Sequence, residues 1–90
     1  MAEPWSAEAL GEDKFRFTNT SGETLAMITI APRGGATVKV VDGVPDDLHA
    51  VPAPVPAGAS FVAVVRGPGA DITATFPTTM RHTYWEFNPA

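Results

Sequence analysis

The chain has ninety residues, of which ten are acidic and six basic, a formal net charge of −4 and no cysteine. That length makes one domain at most, and the missing thiols exclude a disulfide framework and thiolate catalysis. Four acids, Glu3, Glu8, Glu12 and Asp13, crowd the start, so the rest of the chain is balanced and offers no basic stripe for nucleic acid.

Residues 1–13 read as an acidic flexible arm, with the folded domain over 14–90. Pro4 and Gly11 bound a segment of about six residues, too short for a stable helix. Ser6 is followed three residues on by Ala9 and not by Glu or Gln, so no capping box forms. Trp5 is the exception, because an indole in such a leader packs against its own domain or a partner. The start lacks the basic and apolar regions of a secretory signal, and no run reaches the length of a membrane span. Together with the absence of cysteine this predicts a cytoplasmic protein without membrane contact.

From Lys14 the pattern turns β. Phe15 and Phe17 alternate with Lys14, Arg16 and Thr18, the period of a half-buried strand. Asn19-Thr20-Ser21-Gly22 follows as a turn. Its first three residues also fit the N-glycosylation pattern, which without a secretory signal is read as turn chemistry. Residues 25–31 form a second strand, with Ala26, Ile28 and Ile30 on one face and Leu25, Met27 and Thr29 on the other. Both faces are largely apolar, which predicts a central position in its sheet. After Pro32-Arg33-Gly34-Gly35, residues 36–42 give a third strand with Val38 and Val40 inward and Lys39 outward. Asp42-Gly43 closes it as a turn.

Residues 44–58 carry four prolines, Pro45, Pro52, Pro54 and Pro56. They cannot supply regular donors to a ladder, so the segment is expected to run extended along an edge, with room for a strand near 48–51. Residues 60–66 alternate Phe61, Ala63 and Val65 against Val62 and Val64. Gly67-Pro68-Gly69 is a hairpin turn. Residues 71–76 then place Ile72, Ala74 and Phe76 inward. A loop over 77–80 leads to a closing strand over 81–88, which Pro89 ends.

Short strands at roughly ten-residue spacing, without a crossover helix, predict an all-β domain. The expected fold is a small antiparallel β-sandwich of six to seven strands with an immunoglobulin-like outline, a small barrel being the alternative. The cysteine and tryptophan spacing of antibody domains is missing. The expected core is Phe15, Phe17, Ile28, Ile30, Val38, Val40, Phe61, Val65, Ile72, Phe76 and one of Tyr84 and Trp85.

The closing strand is the most informative segment. Alternation puts His82, Tyr84 and Glu86 on one face and Thr83, Trp85 and Phe87 on the other. Tyrosine and tryptophan bury large areas at small entropy cost, which suits an interface. His82 and Glu86 are no acid-base pair, because four residues along a strand span about 13–14 Å. Asp46, Asp47 and His49 are the densest polar cluster and the candidates for a hard cation, but they lack a calcium-loop pattern and read as a solvated turn. Arg33 and Arg66 stand beside glycines, where an anion nest is weighed against plain hairpin chemistry. Arg66 and Arg81 are expected at one end of the sheets, pairing with Asp71 or Glu86. Ser6, Ser21 and Ser60 sit in no nucleophile elbow.

The expected function is a non-catalytic interaction module that binds another protein through a sheet face or edge, with no cofactor and a homodimer as one form. Its binding residues are expected among Trp5, His82, Tyr84, Trp85, Glu86, Arg66 and Arg81. The alternative is a small-ligand or carbohydrate-binding domain with a surface groove lined by Trp and Tyr. A small hydrolase comes third.

Overall fold

A computed structural model describes residues 3–42, 50–51 and 54–89. Among them eight antiparallel strands form: β1 (Trp5–Gly11), β2 (Lys14–Asn19), β3 (Ala26–Arg33), β4 (Thr37–Asp42), β5 (Ala50–Val51), β6 (Ser60–Arg66), β7 (Gly69–Phe76) and β8 (Arg81–Phe87). They make two sheets, in the orders β1-β2-β6-β4 and β5-β3-β7-β8. β5 has only two residues, so the architecture is a sandwich of seven full strands, four against three, and not a closed barrel. The expected sandwich is therefore the observed one.

Alternation builds the core. Phe17 of β2 and Phe61 of β6 stack at 5.3 Å between ring centroids, and Phe17 meets Phe87 of β8 edge-on at 4.9 Å. Trp5 reaches Phe61 at 5.5 Å, and Trp85 reaches Phe17 at 6.3 Å. Each such pair contributes about 0.5–1.5 kcal/mol beyond its area burial. Ile28, Ile30 and Ile72 complete the interior from the second sheet. Val38, Val40, Phe15, Phe76 and Trp85 pack against it and are only partly buried.

The leader is not an arm. Residues 5–11 pair with β2 from Trp5↔Asn19 to Ala9↔Phe15, and Trp5 is buried in the core. The strand was illegible because it lacks β-branched residues and only Trp5 of its seven is buried. Its hairpin with β2 turns through Glu12 (φ 55°) and Asp13 (φ 64°), not through the Asn-Gly pair that normally marks such a turn.

Alternation puts Leu25 with Met27 and Thr29, on the face opposite Ile28 and Ile30. Leu25 is buried, and a register shift between Ala26 and Thr29 explains why. Met27 there adopts φ 52°, which bulges the strand and resets the alternation, so that Leu25, Ile28 and Ile30 all face inward. β3 does lie inside its sheet, between β7 and the short β5. Thr75 shares a face with the exposed Thr73 and yet is buried, its Oγ1 lying 3.1 Å from His82 Nδ1.

Asn19 closes the turn after β2. Its Nδ2 donates to the Glu23 carbonyl at 2.7 Å and to the Val55 carbonyl at 2.9 Å, and its Oδ1 accepts from the Ser21 amide at 2.9 Å. Asn19 is fully buried, so the glycosylation-like tripeptide is structural. Val55 exchanges two backbone bonds with Leu25, while Pro54 and Pro56 stay exposed beside it. Asp46, Asp47 and His49 lie outside the described residues.

Candidate functional site

The site begins with β8. Its ladder with β7 runs without interruption through seven pairs, from Ala70↔Phe87 to Phe76↔Arg81. On its other side β8 has no backbone partner among the described residues. The remaining edges are blunted, as free edges normally are. β1 shifts register between Ala9 and Gly11, β4 shifts between Val40 and Asp42 and carries Lys39, and β5 is two residues long. β8 has no bulge and no proline.

The outer face of β8 presents His82, Tyr84 and Glu86, and all three are exposed. Register places them in rows across the sheet: Tyr84 beside Thr73 and Thr29, Glu86 beside Asp71 and Ala31, and His82 beside Thr75 and Ala26. Tyr84 is 59% exposed, which makes it the exposed ring of the adjacent pair Tyr84 and Trp85. Its hydroxyl donates to Glu86 Oε2 at 3.3 Å. Desolvation at the sheet surface and the carboxylates of Asp71 and Glu86 hold this phenol above its ordinary pKa. With the ring more than half in water, the two carboxylates are the causes that carry weight. Thr75 Oγ1 and His82 Nδ1 lie 3.1 Å apart, which steadies the imidazole.

The inner face of β8 points into the seam between the sheets. There a cleft of about 590 Å³ lies between β1 and β8, lined by Trp5, Ser6, Thr20, Trp85 and Asn88 among others. Trp85 Nε1 donates to the Glu3 carboxylate across this seam. Trp5 Nε1 is buried without a partner among the described residues. Trp5 is only 1% exposed, so its ring faces belong to the core and only Trp85 is left to stack on a ligand in the cleft.

Thus Trp5, Trp85 and Glu86 meet at the seam, and His82, Tyr84 and Glu86 share the outer face. Arg66 joins neither, because it pairs with Asp13 at 3.3 Å with both side chains well exposed. Arg81 stands exposed at the start of β8 with no ion pair among the described residues. The expected pairing of Arg66 or Arg81 with Asp71 is overturned, since Arg33 Nε holds Asp71 at 3.1 Å. Arg33 also donates to Asn88 Oδ1 at 2.9 Å, to the Phe87 carbonyl at 3.1 Å and to the Ala70 carbonyl at 3.2 Å. Its guanidinium is thus engaged by the protein and is not an anion cradle. Gly69 permits this junction, because a Cβ there would run into the Phe87 carbonyl oxygen. The glycines beside Arg33 drew attention to it but could not reveal these partners, which come from strands far along the chain.

Among the described residues no group of three His, Asp or Glu side chains could hold a metal ion, and no helix is long and apolar enough to cross a membrane. Comparison with protein-family models, with curated proteins and with solved structures finds no match.

Proposed function

We propose that this domain is a non-catalytic interaction module that binds another protein along β8. The observation that carries the reading is the open edge of β8, seven paired residues without bulge or proline, with Tyr84 exposed at its middle. An extended segment laid on such an edge gains main-chain hydrogen bonds, and exposed side chains on the strand supply specificity. Tyr84 is the natural anchor, because tyrosine is enriched among the residues that carry binding energy at interfaces.

The test is selection from a random extended-peptide library, followed by amide hydrogen exchange on the complexes. Enriched peptides should protect amides of residues 81–87 and lose affinity for Tyr84→Lys, a change at an exposed position. Enriched peptides that leave those amides unprotected would sink the reading.

The cleft favours a second reading, a small ligand held at the seam. It offers Trp85 for stacking and Ser6, Thr20 and Asn88 for hydrogen bonds. A sugar or small polar ligand seated there should shift Trp85 emission and leave β8 amide exchange unchanged.

A further inference from the structure

We infer that the occupant of the β8 edge is a second copy of this chain, paired antiparallel through β8 with Tyr84 on the two-fold axis. The inference rests on the reading of β8 as a binding edge and names its partner. In an antiparallel pair, facing residues share a face of the sheet, so two copies of one strand meet only in registers centred on a residue. Centring on Tyr84 aligns all seven residues of β8 (Arg81–Phe87). Centring on Thr83 or Trp85 aligns only residues 81–85 or 83–87.

The Tyr84-centred register is also the one in which the side chains complement each other. It sets His82 opposite Glu86 of the second copy, twice by symmetry, and ring against ring at Tyr84. On the inner face it sets Thr83 opposite Trp85. A hydrogen-bonding pair and an aromatic pair facing each other across strands are stabilising. The hydrogen-bonding atoms are poised for it. His82 uses Nδ1 toward Thr75 and Glu86 uses Oε2 toward Tyr84, which leaves His82 Nε2 and Glu86 Oε1 unengaged among the described residues. The second sheet then continues through β8 into its symmetry mate, and the edge that β8 leaves open among the described residues is closed.

Because the chain has no cysteine, single-cysteine variants report the register cleanly. Under mild oxidation Tyr84→Cys should give a disulfide-linked dimer, since residues facing each other lie about 4.5–5.5 Å apart between Cα atoms. His82→Cys alone and Glu86→Cys alone should link poorly, and a mixture of those two variants should link to each other. In sedimentation equilibrium the unmodified protein should dimerise with concentration. Glu86→Lys should weaken dimerisation roughly tenfold or more, and the exchanged pair H82E/E86K should restore it. A chain that stays monomeric to about 1 mM overturns the proposal, since dimerisation that weak leaves the edge open in practice. So does His82→Cys linking to itself as readily as Tyr84→Cys. A monomeric chain whose β8 amides are protected by bound peptides sinks the dimer and leaves the edge reading standing.

Discussion

Glu3 and Trp85, eighty-two residues apart, are joined by a hydrogen bond from the indole Nε1 to the carboxylate across the open side of the sandwich. The bond ties the start of the chain to its last strand. Just beyond it Trp5 enters the core against Phe61. The two contacts differ sharply in burial, and so in what their loss costs.

Trp5→Ala should destabilise the domain by about 3–5 kcal/mol, the usual cost of emptying a buried aromatic site. Glu3→Ala should cost about 1 kcal/mol or less, because its partner can turn to water. Urea denaturation of the two variants checks the difference. Equal losses would mean that β1 is held by its first residues and not by the indole.

Asn19→Ala removes two bonds from the amide to the Glu23 and Val55 carbonyls and the bonds that Oδ1 accepts from Ser21, and it empties a fully buried site. A loss of about 2–4 kcal/mol is expected in the same measurement. A near-neutral result would show that water enters the turn and replaces the amide.

Arg33→Ala should cost about 2 kcal/mol, because it leaves Asp71 and two strand-end carbonyls without their donor. Arg66→Ala should stay within about 0.5 kcal/mol, since its pair with Asp13 lies in solvent. Thermal melts of both variants at low and high salt provide the comparison.

Met27 sits at φ 52° and is 73% exposed. Glycine adopts that conformation freely, whereas a β-branched residue does not. Met27→Gly should be neutral to slightly stabilising, and Met27→Ile should cost about 1–2 kcal/mol. If both variants melt alike, the bulge does not persist in solution.

Tyr84 is the chain's one tyrosine, so its ionisation can be followed by ultraviolet absorbance without overlap. Its midpoint should lie above the ordinary phenol value, and Glu86→Gln should lower it. A phenol pKa raised by folding means that the folded state holds its proton longer than the unfolded chain. The resulting stability is complete below the unfolded value and is lost as pH rises through the folded one. A midpoint at or below the ordinary value would place the carboxylates away from the ring.

β6 and the two faces of β8 are legible in the sequence, whereas β7 starts two residues earlier than its pattern and buries Thr75. His82, Tyr84 and Glu86 do share the outer face, with Trp85 and Phe87 turned inward. β1 was not readable. Ser6, Ala7, Glu8 and Ala9 carry little strand preference, and its hydrogen bonds come from β2. Leu25 was assigned to the wrong face because a bulge is a property of two paired strands, and here it shows only in the register of β3 against β7.

Side-chain alternation is a local property with a period of two, and with the glycine and proline signals between strands it determined that this is an all-β chain and, outside β1 and the bulge of β3, most of the residues that turn inward. Only the tertiary structure decided which strand keeps an open edge, that Arg33 and not Arg66 engages Asp71, and that Tyr84 is the more exposed ring of the pair Tyr84 and Trp85. Those outcomes depend on which strands lie side by side, and the pairings of β2 with β6 and of β3 with β7 join residues dozens of positions apart.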